Sequence, residues 1–398
     1  MASSRVVSFD VIVLAVGPAA RAHKVCGLTL AERGRRVANK LGATRVKLVE
    51  SAADAAELPA WVADRDLLII RVSDQVVHFA LIDAVRGGGA RIAITPEGDY
   101  AGAIWIPAAD VAEVALFAND PENGDAELAK QWRASKHATE HVHGEIARHR
   151  AVTREERQAA TKMLFGVIYK SQDGPLSKLL FRPIAYPITR AFLPTPLTPN
   201  HVTFIACALA LTGCAIIAWP SYQAAVIGSL LQHLAGYFDC TDGEIARLKH
   251  EGSKAGQWFD TVSDEATTVC YLAGIGIHVY QRHPGAWFQP YIGWAIPLGV
   301  ACSLTSVYVI YYYLIKVARS GNSQDYPVKP DSKMKPIAWM VQRDFVGLMS
   351  LVLAVLNLTE VAFVGLFLGA LASAATLLPE HLQLRRDLAS GRVVPKPG

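Results

Sequence analysis

Charged side chains are sparse in this chain. Asp, Glu, Lys and Arg make up 19% of its 398 residues against a hydrophobic share of 52%, and a wholly soluble chain of this size would carry more charge. An excess of one sign is lacking too. The formal net charge of +4 is too weak to argue for nucleic acid, and the basic residues cluster beside apolar segments, which points to membrane headgroups. Cysteines are few and unpatterned. Cys26, Cys207, Cys214, Cys240, Cys270 and Cys302 form no CxxC pair, and five lie in apolar segments. They read as small buried thiols, which excludes a zinc site or a disulfide framework built on them. The N-terminus lacks the basic start and long apolar core of a signal peptide, so its apolar stretch reads as a buried first strand. No internal repeat or low-complexity tract is evident.

What is present falls into two unlike halves. Residues 1–150 read as an α/β domain. Short β-branched runs at Val11–Val16, Val46–Val49, Leu67–Val72 and Arg91–Ile94 alternate with helical patterns at Leu30–Leu41 and Val76–Val85. That alternation predicts a small parallel, Rossmann-like sheet flanked by helices. Charged helical stretches at Asp125–Arg150 and Thr153–Lys170 follow, and residues 151–174 form a connector in which Lys170 and Asp173 read as surface residues.

From 175 to about 390 the chain is apolar. Pro175–Leu193 carries Lys178, Arg182 and Arg190 among leucine and aromatic residues, the pattern of one or two amphipathic helices at a membrane surface. Six apolar stretches follow, at about 201–219, 222–246, 260–281, 290–315, 343–358 and 361–381, each near the ~20 residues needed to cross a bilayer. The expectation is an all-α domain of six transmembrane helices, with Ser320–Lys335 as a linker between the fourth and fifth.

One constellation stands out. Asp239 and Asp242 are three apart and share a helix face; Asp260 and Asp264 are four apart and share another. A short basic loop joins the two helices, so four carboxylates converge near the membrane boundary. Unpaired, they would repel, and burying them would be costly. Hard divalent cations are the simplest compensation, because carboxylate oxygen suits Mg2+, Mn2+ or Ca2+ and no soft ligand is offered. Gly243, Ala246 and Gly256 leave room for a ligand beside the backbone, and Arg247 offers a forked donor to phosphate. Two metals beside a phosphate pocket suit in-line displacement at phosphorus, with one carboxylate free to act as base.

This run, DCTDGEIAR followed by Gly256, Asp260 and Asp264, resembles the CDP-alcohol phosphotransferase signature DxxDGxxARx(8)GxxxDxxxD at every specified position. The resemblance covers the chain from about Asp173 onward. It implies six transmembrane helices after a surface helix, a homodimer, two divalent ions (Mg2+ or Mn2+) and transfer of a phospho-alcohol from a CDP-linked donor to a hydroxyl acceptor. It also implies that Asp239, Asp242 and Asp260 bind metal, that Asp264 is the base or completes the metal site, and that Gly243, Ala246, Arg247 and Gly256 form the CDP pocket. Thr198-Pro199-Asn200 and Arg343-Asp344-Phe345 resemble the branch that makes inositol-phosphate compounds, in which a basic residue holds an acceptor phosphate; Arg343 and Arg182 are the candidates. The donor stays open between CDP-diacylglycerol, giving a phospholipid, and a soluble CDP-alcohol such as CDP-inositol, with inositol chemistry favoured.

Val13–Arg21 (VLAVGPAAR) resembles the glycine loop of sugar nucleotidyltransferases, and Ser73-Asp74-Gln75 sits where those proteins carry a metal-binding Asp. Pro18 lacks an N–H and Ala19 adds a side chain where the backbone must approach phosphate. Catalysis in this domain is expected to be lost or altered, and Gly17 and Arg21 read first as an ordinary strand-to-helix turn. His233, on an apolar helix, reads as a packed core histidine. Arg247 and the loop lysines also read as membrane anchors.

A channel role would use the acids as an ion path, but a transporter spreads polar groups toward mid-membrane and shows inverted repeats. Here the acids cluster at one end. Lys and Arg crowd three loops on one face, whereas the loops on the other carry Arg282 alone. This asymmetry places both termini and the acids in the cytoplasm, in an inner or plasma membrane. Thiol labelling of a Cys-free variant in intact cells checks it. A cysteine at Gly285 should react with a membrane-impermeant reagent and one at Ser253 should not; the reverse pattern inverts the topology.

Overall fold

The computed structural model describes residues 8–77, 79–114, 119–142, 148–168, 175–322, 325–327 and 343–395, with backbone alone at 80, 81 and 343. Lys170, Asp173 and most of the expected linker at Ser320–Lys335 lie outside the described residues. The chain forms two compact units: Met1–Tyr169 with Leu193–Thr195 and Arg247–His250, and the remainder.

The first unit holds strands β1 (Phe9–Leu14), β2 (Lys24–Val25), β3 (Leu28–Thr29), β4 (Arg45–Val49), β5 (Asp66–Arg71), β6 (Gln75–Val77), β7 (Arg91–Ile94), β8 (Tyr100–Ile106), β9 (Thr139–Val142) and β10 (Arg148–Arg150). Its helices are α1 (Pro18–Ala22), α2 (Leu30–Lys40), α3 (Ala52–Ala56), α4 (Leu58–Trp61), α5 (Phe79–Val85), α6 (Gly124–Ser135) and α7 (Arg154–Ile168). A six-stranded sheet runs in the order β4-β1-β5-β8-β7-β9. Every residue of β1, FDVIVL, is buried, as expected of a central strand covered on both faces. One side of the sheet packs Ile12, Leu14, Ile69 and Ile104 against Leu128 and Trp132 of α6.

The sheet is mixed, which corrects the all-parallel expectation. β4, β1 and β5 are parallel, but β8 runs antiparallel to both β5 and β7. A tight hairpin after β7 sets this direction. Thr95 N donates to Asp99 O at 2.8 Å and Gly98 N to Thr95 O at 2.9 Å, with Gly98 at φ +90°, a left-handed turn position that glycine occupies without strain. Two helical expectations are also corrected. Val76–Val85 divides into β6 and α5, and Asp125–Arg150 divides into α6, β9 and β10. In the second case Lys136 ends α6 in the left-handed conformation, and residues beyond it pair with β7 and β6. The loop after β1 turns at Gly17, φ +98°, and α1 begins with Pro18. Ser73 Oγ accepts from Val16 N at 3.1 Å and donates to Leu14 O at 3.3 Å, so its hydroxyl is used in holding this loop.

The second unit is helical. A π-helical turn at Ser177–Phe181 leads into α8 (Arg182–Phe192). Then come α9 (Pro199–Ile217), α10 (Tyr222–Leu248), α11 (Lys254–Arg282), α12 (Gln289–Tyr313), α13 (Arg343–Val355) and α14 (Thr359–Ala389). These cover the six apolar stretches. Among the described residues, three helices are long and apolar enough to cross a membrane: Pro199–Ile217, Gln289–Ala318 and Thr359–Ala389. Asp344–Val355 is apolar but shorter. α10 and α11 have 27 and 29 residues, ample for a bilayer, but polar and acidic side chains dilute their hydropathy.

Glycine sets the spacing between these helices. A Cβ on Gly213 would come within 2.7 Å of Gly228 O, one on Gly228 within 2.6 Å of Gly213 O, and one on Gly274 within 2.6 Å of Cys214 O. Backbones of α9, α10 and α11 therefore touch, the small-residue packing typical of helices in lipid. Around these contacts Cys214, Ile217, Tyr271, Leu272 and Ile275 form a common core with Phe363 and Ala370 of α14.

Candidate active site

The acid pairs sit at the facing ends of α10 and α11. Glu251 N donates to Ala246 O at 3.0 Å as α10 ends, and Ser253 caps α11 by accepting from Gly256 N at 2.9 Å. The connection is only a few residues long, so the last turns of α10 and the first of α11 are neighbours. Oxygens of Asp239, Asp260 and Asp264 then lie within 4.8 Å of one another, and all three residues are half-buried. That set of hard donors is compatible with a divalent cation.

Asp242 lies outside that trio as placed. It is buried, and its Oδ2 accepts from Thr203 Oγ1 of α9 at 2.5 Å. Gly256 is confined: a Cβ there would come within 2.9 Å of Asn200 Oδ1 and 3.1 Å of Ser253 Oγ. Close packing against Asn200 thus demands a small residue at 256 in addition to any ligand. Gly243 and Ala246 follow Asp242 on α10, and Arg247 stands one residue before the helix ends. The side chain of Arg343 lies outside the described residues.

Arg182 was expected near the acceptor. It is buried, and its Nη1 donates to Glu244 Oε1 at 2.9 Å. Thr189 Oγ1 donates to Glu244 Oε2 at 2.6 Å. Arg182 and Thr189 are two turns apart on one face of α8, so both reach the same carboxylate, which is fully buried. Glu244 was not singled out from the sequence. Its signal was an ionisable residue inside an apolar helix, which calls for a partner; the partner's identity is a tertiary fact. This pair pins the amphipathic helix to α10 two residues beyond Asp242.

Residues 196–377 match the family model described as CDP-alcohol phosphatidyltransferase. The chain is 31% identical over 144 residues to the bifunctional IPC transferase and DIPP synthase of Rubrobacter xylanophilus, a match covering 36% of this chain and 32% of that protein. It is 27% identical over 141 residues to the protein of the same name from Aquifex aeolicus, covering 35% and 31%. The chain thus spans about a third of the length of these curated relatives. Among solved structures, the crystal structure of Mycobacterium tuberculosis phosphatidylinositol phosphate synthase with CDP-DAG bound is similar at 20% identity and a TM-score of 0.36, covering 50% of this chain and 94% of that one.

The Glu244 pair makes a direct prediction. Arg182→Ala leaves a buried carboxylate without its cation and should lower stability by about 3–5 kcal/mol. Adding Glu244→Gln removes the orphaned charge and should recover part of the loss. Unfolding of the detergent-purified protein measures both; an Arg182→Ala variant as stable as wild type would refute the pairing.

Proposed function

We propose that this chain, whose residues 196–377 match the family model described as CDP-alcohol phosphatidyltransferase, transfers a phospho-alcohol from a CDP-linked donor to a hydroxyl acceptor and releases CMP. The observation that carries the reading is the convergence of Asp239, Asp260 and Asp264 oxygens within 4.8 Å. Asp239, Asp242, Asp260 and Asp264 would hold two divalent ions, Mg2+ or Mn2+; Thr203 uses only one oxygen of Asp242. Ions bound there would neutralise the phosphate oxygens and stabilise the departing CMP.

The chain's own groups do the rest. Arg247 donates a planar fork to a donor phosphate, and Gly243, Ala246 and Gly256 let the nucleotide lie close to the backbone. The acceptor oxygen attacks the phosphorus that carries the alcohol. Its new P–O bond replaces the bond to CMP, and Asp264 takes the acceptor's proton. Arg182 acts as a positioning residue through Glu244, and an acceptor-phosphate role falls to Arg343. Six membrane crossings, both termini and the acids in the cytoplasm, and a homodimer complete the reading. Donor choice lies between CDP-diacylglycerol and a soluble CDP-alcohol, and the product enters phospholipid or inositol-phosphate synthesis. Residues 1–150, within the first unit, serve as a nucleotidyltransferase-like domain without its own transfer activity, consistent with Pro18 and Ala19 in its loop and with Ser73 tied to Leu14 and Val16.

Metal dependence tests the proposal. CMP release should vanish after EDTA treatment and return with Mg2+ or Mn2+. Asp239→Asn and Asp260→Asn should lose metal binding and activity together, while Asp264→Asn should lose turnover yet still bind CDP. Full activity in metal-free protein would overturn it.

A further inference from the structure

The last turn of α10 ends in a Schellman cap. Glu251 N donates to Ala246 O at 3.0 Å, and His250 takes the left-handed conformation at φ 54°, in the place that glycine usually fills in this motif. A side chain there strains the backbone, and such a position persists only where its surroundings over-determine it. The Glu251 bond reaches neither Leu248 O nor Lys249 O, and the final carbonyls of a helix have no partner within it. Helix α2 supplies donors to both. Arg33 Nη1 donates to Leu248 O at 2.8 Å, and Arg36 Nη1 donates to Lys249 O at 2.9 Å. Leu193–Thr195 and Arg247–His250 belong to the first compact unit, so these bonds are internal to it.

Arg33 and Arg36 are three apart and share a face of α2. Arg33 is only 3% exposed. Its guanidinium donates to two carbonyls, Leu248 O and Val25 O, each at 2.8 Å, and no carboxylate pairs with it among the described residues. Burying a cation without an anion is costly, and charge-assisted bonds to these carbonyls are what offsets the cost. Positive charge also suits the negative end of the α10 dipole. The neighbouring backbone is held as tightly. Lys249 is buried, and its Nζ donates to Thr195 O at 3.1 Å. Gly27, at φ +80°, lies so close that a Cβ there would come within 2.1 Å of Leu193 O. Neither arginine belongs to the Val13–Arg21 loop or to the acid constellation, so the chemistry described above gives them no role.

Arg247, assigned above to a donor phosphate, immediately precedes Leu248. A guanidinium fork orients a phosphate only if its own backbone is fixed, and the terminal turns of helices fray. We propose, resting on the phosphotransfer reading, that Arg33 and Arg36 are positioning residues for that reaction. By holding Leu248 O and Lys249 O they keep the last turn of α10 wound and aim Arg247 at the donor phosphate. A domain whose own glycine loop is ill suited to nucleotide transfer thereby takes part in binding the nucleotide donor.

The test uses the full chain in nanodiscs. Arg36→Ala comes first, because that side chain is 26% exposed and Arg35 still pairs with Glu32 in its absence. Hydrogen exchange at the Glu251 amide should quicken roughly tenfold, and the Kd for CDP should rise by about the same factor. Mn2+ affinity should not change, and kcat at saturating donor should hold while KM rises. Arg36→Lys should recover part of the CDP affinity, and Arg35→Ala, outside the clamp, should leave every readout unchanged. A double-mutant cycle with Arg247→Ala separates positioning from general loosening: an arginine that acts through Arg247 adds nothing once Arg247 is gone. Losses that add, or a CDP affinity unmoved by Arg36→Ala and Arg33→Lys alike, would overturn the proposal. Exchange and CDP affinity need no turnover, so a wild type that binds CDP but releases no CMP fails the phosphotransfer reading while these two readouts still decide the clamp.

Discussion

Mutual repulsion among carboxylates is the constraint on which the second unit turns. Three aspartate oxygens within 4.8 Å of one another repel by roughly 3 kcal/mol per pair at an effective dielectric near 20. Helices free to slide apart would relieve that strain. These are not free. Gly213, Gly228 and Gly274 bring α9, α10 and α11 to backbone contact, Ser253 fixes where α11 starts, and Glu244 ties α8 to α10 through Arg182 and Thr189. A rigid frame thus holds charge that a divalent cation would compensate, and such an ion would make a bound phosphate more electrophilic. Cost and chemistry have one source.

Polar chemistry in this unit is graded along α10. Asp239 and Asp242 lie toward its C-terminal end, Glu244 is neutralised by a buried guanidinium, and His233 sits farther back, where apolar walls take over. The first unit follows a different logic. Its central strands are covered on both faces, and Ser73 hydrogen-bonds the turn after β1 where a nucleotide-binding protein would offer backbone N–H groups.

The acid spacing was legible because helix periodicity converts three and four residues into one face, and the short loop after Leu248 forces the two helices side by side. β1, β4, β5 and β7 were legible because buried strands must be apolar throughout. The direction of β8 was not: YAGAIWI carries glycine and alanine, and only the Thr95–Asp99 turn sets its sense. The Arg182–Glu244 pair was hidden because Arg182 resembles its neighbours Lys178 and Arg190, and periodicity does not tell a headgroup contact from a buried partner. Gly256 and Asn200 were each visible, but their close approach was not. His233 reads as core packing from its apolar helix, and it is buried against Phe181 and Tyr237.

Anomalous diffraction from crystals of the full chain grown with Mn2+ tests the central claim most directly. Strong manganese peaks ligated by Asp239, Asp260 and Asp264 and lost in Asp260→Asn crystals are the expected result. Well-ordered crystals saturated with Mn2+ but showing no peak at these carboxylates, or carboxylates bridged by arginine or lysine instead, would contradict it.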